Sequence, residues 1–76
     1  MKRKKITVHY LNQVPLEYRN ETLENVTTEI FESDKDPDYL IIDDEIKIQW
    51  NPSLFHYCFA HGRLTEEELI EKCKEN

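Results

Sequence analysis

Glycine occurs once in the 76 residues, at Gly62. That scarcity excludes the glycine-rich phosphate loop and the dinucleotide fingerprint, which both need several positions free of a side chain where backbone approaches the anion. Cysteine occurs twice, as Cys58 and Cys73, too few for a disulfide framework, and both are expected to be reduced thiols. No apolar run approaches the roughly 20 residues of a membrane helix. The basic start leads into a polar strand pattern instead of a signal-peptide core, so a cytoplasmic protein with no membrane partner is expected. Asn20-Glu21-Thr22 and Asn25-Val26-Thr27 fit the glycosylation pattern, which without secretion is accidental.

Positive charge is scarce as well, once the start is passed. Lys2, Arg3, Lys4 and Lys5 hold four of the ten basic residues. From Ile6 onward six Lys and Arg face sixteen Asp and Glu, a balance of −10. Phosphate backbones are bound through Lys and Arg that displace condensed counterions, so direct binding of nucleic acid is disfavoured. Residues 1–4 are expected to be a solvated, poorly ordered terminus.

What is present suffices for one small domain over residues 1–76. Hydrophobic residues are 38% and charged residues 34% of the chain. A domain of this size buries only about 60% of its unfolded surface, so its stability margin is thin and a homodimer would be unsurprising.

The pattern centres on residues 38–50. Leu40, Ile41 and Ile42 form a short apolar run, Asp43-Asp44-Glu45 interrupts it, and Ile46, Ile48 and Trp50 then alternate with Lys47 and Gln49. This is a β-hairpin with one apolar face. Residues 5–11 alternate in the same way and predict a first strand. Pro15 restricts residues 14–19 to an edge strand. Residues 22–33 fit both a helical stripe (Leu23, Val26, Thr27, Ile30, Phe31) and a strand face, and the β-branched Val26-Thr27-Thr28 favours a strand over residues 25–32. Asn51-Pro52 favours a short helix over residues 52–61 that Gly62 stops, with Leu54, Tyr57, Cys58 and His61 down one side; the rival reading is a one-turn bend over residues 52–55 followed by a last strand through Phe59. Thr65 and Glu68 form a capping box for a last amphipathic helix, residues 65–75, whose buried stripe is Leu69, Ile70 and Cys73. The expected fold is α+β: a small antiparallel β-meander of three to five strands with that helix packed on one face.

Three constellations bear on function. Asp34, Asp36, Asp38 and Glu45 occupy positions one, three, five and twelve of an EF-hand-like loop. Tyr39 stands where that loop needs glycine and Pro37 stiffens it, so the segment reads as a solvated acidic turn. His56, Cys58, His61 and Cys73 are soft ligands, but their spacing lacks the paired knuckles of a zinc site, and no metal or other cofactor is expected. Cys58 with His56 or His61 is the one nucleophile and base pair. Without a glycine-bearing oxyanion loop or a cleft it does not make an enzyme.

The third is an aromatic window, Tyr39, Trp50, Phe55, Tyr57 and Phe59, next to an acidic segment. Aromatics anchor interfaces and a field of carboxylates steers basic partners. The expected site is therefore Asp34, Asp36, Asp38, Tyr39, Asp43, Asp44 and Glu45, engaging a basic patch on a protein partner. In size, charge and strand pattern the chain resembles the small acidic proteins that bacterial phages and mobile elements encode; no motif carries that likeness and no residue role follows from it. The expected function is a small acidic, non-enzymatic binding protein, an inhibitor or nucleic-acid-mimicking decoy. The alternatives are a homo-oligomeric structural or regulatory module and a small domain that binds zinc or calcium.

Overall fold

The computed structural model describes residues 3–74. Seven elements follow one another: strand β1 (Lys4–His9), strand β2 (Leu16–Glu21), helix α1 (Leu23–Ser33), strand β3 (Tyr39–Ile42), strand β4 (Ile46–Gln49), helix α2 (Pro52–Phe59) and helix α3 (Glu66–Cys73). The strands form one antiparallel sheet in the order β2-β1-β3-β4, an α+β fold. Two hairpins are joined through α1, and that crossing sets β3 beside β1 instead of β2.

Residues 25–32 are helical, which corrects the expected strand. Thr22 is the N-cap, its Oγ1 accepting the Asn25 N–H at 3.2 Å. The β-branched threonines that favoured a strand settle into the helix by bonding back one turn: Thr27 Oγ1 donates to Leu23 O at 2.7 Å and Thr28 Oγ1 to Glu24 O at 3.1 Å. Leu23, Val26, Thr27 and Ile30 then bury a continuous stripe.

One face of the sheet carries Ile6, Val8, Leu40, Ile42 and Ile48, all fully or almost fully buried. Against them pack Leu23, Val26 and Ile30 from α1, Phe55 and Cys58 from α2, and Leu69 and Cys73 from α3. The other face is open, as an antiparallel sheet permits. On it Tyr39 stacks on His9 at 4.4 Å between ring centres, and Lys47 Nζ lies 4.3 Å from the Tyr39 ring. In α2 the buried side is Phe55 and Cys58, while Tyr57 is exposed, so the expected stripe of Leu54, Tyr57, Cys58 and His61 is rotated. Asn51 Oδ1 caps α2 by accepting from Leu54 N–H at 3.1 Å, and burial of Phe55 and Cys58 sets which side meets the sheet.

The shortage of glycine returns in the turns. Among the described residues the non-glycine positions with positive φ are Asn12, Asn20, Asp34, Asp43 and Asp44. All are Asn or Asp, the residues that tolerate the left-handed region best after glycine. Asp43 and Asp44 (φ 54° and 57°) make the β3–β4 turn, closed by Glu45 N–H to Ile42 O at 3.0 Å. Two left-handed central residues give the turn a twist that matches the hairpin.

The basic start is part of the fold from Arg3 onward; Met1 and Lys2 lie outside the described residues. Arg3 donates to Asn20 O at 2.9 Å. Lys4 opens β1 and lies 3.3 Å from Glu66 Oε1 of α3. The expectation of poor order thus does not hold for Lys4, whose alternation with Ile6 and Val8 turns it toward the helices.

Two carboxylates tie helix starts down. Glu21 accepts from the Asn25 side chain at 2.9 Å and from Thr22 N–H at 3.0 Å, and these bonds hold its pKa below the usual carboxylate value. Glu68 accepts from Thr65 N–H at 3.0 Å to complete the capping box, with the same effect. A folded pKa below the unfolded one contributes stability that is present above the unfolded value and lost as pH falls through the folded value. Stability is therefore expected to decline as pH drops below about 4.3, the unfolded Glu value. Urea titrations across that range should show a shallower acid limb for Glu21→Gln and Glu68→Gln than for the parent.

Candidate functional site

The seven acidic-site residues fall into two groups at opposite ends of β3. Asp34, Asp36, Asp38 and Tyr39 lie at its start, and Asp43, Asp44 and Glu45 at its end. A four-residue strand separates them by about 13 Å at 3.3 Å per residue. Since β3 is an interior strand, the carboxylates are not spaced along a sheet edge.

The second group is tied to β1. Asp43 donates its N–H to Lys5 O at 2.8 Å and accepts the Lys5 N–H on Oδ1 at 3.0 Å, which continues the β1–β3 ladder. Asp44 Oδ2 takes the Lys5 ammonium at 2.8 Å, and that bond raises the lysine pKa. Glu45 is exposed. These acids turn the hairpin and hold its partner strand.

The first group meets the aromatic window. Asp34 ends α1 in the left-handed region (φ 60°), its N–H donating to Phe31 O at 3.3 Å. Asp36 Oδ1 accepts the Trp50 indole N–H at 3.0 Å. Trp50 lies between Phe55, 4.6 Å away, and Phe31, 5.3 Å away. His56 meets Phe31 edge-on at 6.2 Å and His61 at 4.9 Å. Phe55 is fully buried and forms the floor, whereas Phe31 and Tyr57 are 42% and 45% exposed. A shallow groove of about 160 Å³ runs between α1 and α2, bordered by Glu24, Thr28, Phe31, His56, Phe59 and Ala60. Helix α1 supplies Glu24, Glu29 and Glu32 and no Lys or Arg.

The result is an aromatic surface built from α1, the α1–β3 loop, Trp50 and α2, with Glu24 on the border of its groove and Asp36 beside Trp50. Tyr39 does not belong to it, being on the far face of the sheet with His9. Phe31, the exposed aromatic that borders the groove, was hidden in the sequence by the ambiguity of residues 22–33. Had the Thr22 cap decided for a helix, Phe31 would fall at the edge of the apolar stripe, where a large side chain remains half in solvent.

The soft ligands separate. Because α2 ends at Phe59 and the chain wraps back, with Arg63 N–H on Tyr57 O at 3.2 Å and Gly62 at φ 64°, His61 returns beside His56. Cys58 turns inward and donates to Leu64 O at 3.3 Å. Cys58 and His61 were expected to share a side; the wrap instead brings His61 beside His56 and leaves Cys58 facing inward. Burial raises the thiol pKa of Cys58, with nearby Glu66 adding to it, and burial raises that of Cys73. Both shifts oppose the thiolate a nucleophile or metal ligand needs. Among the described residues no three His, Cys, Asp or Glu are placed to hold a metal ion. None of their helices is long and apolar enough to cross a membrane.

No protein-family model, curated protein or solved structure matches the chain.

Proposed function

We propose that this chain is a non-enzymatic binding protein whose acid-rimmed aromatic surface takes a basic segment of a protein partner. The observation that carries this reading is the exposed Phe31 beside Trp50, with the indole N–H held by Asp36 and the groove open between α1 and α2. Carboxylates at Glu24, Asp34 and Asp36 draw Lys or Arg to the rim. The aliphatic stem of such a residue lies along Phe31 while its charge meets a carboxylate or an aromatic face. Where the covered surface otherwise takes nucleic acid, this protein acts as an inhibitor or decoy.

The test uses tagged protein and native lysate at low and high salt. A partner is expected to be retained at low salt and released at high salt, because exposed charge pairs are screened. Phe31→Ala should weaken binding by at least about 30-fold, the cost of losing a 2 kcal/mol aromatic anchor. Phe31 is 42% exposed, so its folding cost should stay below the roughly 3–5 kcal/mol of deleting a fully buried ring. Unchanged capture by Phe31→Ala would rule the surface out.

A further inference from the structure

The sheet has two edges, and they are treated differently. On β4, Ile48 forms an antiparallel bridge with Lys74, so the chain's own C-terminal segment covers that side. Among the described residues no strand pairs with the outer side of β2. Which backbone groups it presents follows from alternation along antiparallel strands. Lys5 sends both its N–H and its C=O to Asp43 on the β3 side, so Ile6 and Val8 alternate toward β2. Their register partners Tyr18 and Leu16 turn inward to meet them. The N–H and C=O groups of Glu17 and Arg19 are then left on the open edge.

That open stretch is sharply bounded. Pro15 has no N–H to give at one end. At the other, Asn20 (φ 55°) makes the bulge between the Lys4 and Ile6 pairings, and its C=O is taken by Arg3. The side chains between are one acid and one base on the same face: Arg19 Nε lies 2.6 Å from Glu17 Oε1. Next to them the hairpin carries a run of exposed apolar side chains, Leu11, Val14 and Leu16 at 76%, 83% and 48%.

We infer that β2 pairs with β2 of a second copy of this chain, antiparallel about a two-fold axis at Tyr18, with Glu17 opposite the partner's Arg19. Four backbone hydrogen bonds close between the two Glu17 and Arg19 pairs, and both charge pairs lie on the open face of the joined sheet. The charges allow a single register. A slip of two residues sets Glu17 against the partner's Glu17, or Arg19 against the partner's Arg19, and a slip of one residue sends the inner face outward. In this register Leu11 and Val14 run alongside the end of the partner's β2 and the start of its α1, which covers apolar surface that the single chain leaves in water. The interface is shorter than those of permanent dimers, so association is expected in the micromolar range or weaker. The pairing is independent of the aromatic surface.

Sedimentation velocity up to millimolar protein tests it through charge exchange. The parent should approach twice the monomer mass, and the amides of Glu17 and Arg19 should gain protection from hydrogen exchange only as it does so. Glu17→Arg and Arg19→Glu each set like charges opposite and should remain monomeric. Their equimolar mixture should dimerise, because each then faces its opposite across the axis, a recovery that no contact within one chain can produce. A parent that stays monomeric at millimolar concentration, single variants that still self-associate, or a mixture that does not recover would overturn the pairing.

Discussion

Replacing Phe55 with alanine is expected to cost about 3–5 kcal/mol, the range for deleting a fully buried phenyl ring. A domain of this length is held by only about 4–11 kcal/mol at 0.05–0.15 kcal/mol per residue. The variant should therefore lie close to unfolding at room temperature. Phe55 is fully buried, with Trp50 4.6 Å away on one side and Phe59 6.5 Å away on the other. The cavity opens where three elements converge: β4 leads into Trp50, α2 carries Phe55, and α1 supplies the groove's opposite wall. Neither Trp50 nor Phe31 can refill it without leaving the surface. In urea the midpoint should fall steeply with the slope retained, and Phe55→Leu should lose far less, since it keeps most of the volume. The same cavity removes the floor of the aromatic surface. Partner binding by folded Phe55→Ala should weaken even though no charge is altered.

The second large effect is expected at Lys4 and Glu66. Their side chains are only 12% and 13% exposed, and Lys4 Nζ lies 3.3 Å from Glu66 Oε1. No hydrogen bond of good geometry reaches that oxygen, so the pair is held by charge attraction and by the positive end of α3. Removing one member of a fully buried pair costs about 3–5 kcal/mol. The residual exposure here lowers the figure for Lys4→Met to about 2–3 kcal/mol, because water can still reach the stranded carboxylate. In a domain of this size that corresponds to a fall in Tm of roughly 10–20 °C. The double variant Lys4→Met with Glu66→Leu should return to within about 1 kcal/mol of the parent, since two apolar groups need no desolvation of charge. Calorimetry of the two variants separates a pair that contributes net stability from one that merely must not be broken. The latter is expected.

Some of the acidic residues that suggested a binding site in the sequence have local duties in the fold. Asp34, Asp43 and Asp44 occupy left-handed positions that a chain with one glycine must fill with Asp or Asn. Asp43 and Asp44 also fasten Lys5. Of the seven, Asp36 is the one whose side chain engages the aromatic cluster, through Trp50. Only long-range contact reveals that, since the two residues are fourteen apart in the chain.

The sequence alone determined the α+β class, the hairpin around Asp43-Asp44, the edge position of the strand after Pro15, the start of α2 at Asn51-Pro52 and the capping box of α3. Each is set by groups within about four residues of one another, where hydrogen bonds and φ preferences act without help from the rest of the chain. The tertiary structure decided the rest. Residues 23–33 carry a stripe that serves a helix or a strand, and packing of Leu23, Val26 and Ile30 against the sheet chose the helix. That choice carried the chain across the sheet, set β3 beside β1 and exposed Phe31 next to Trp50. Apolar burial is proportional to area and indifferent to sequence distance, so only the assembled fold could say which faces meet.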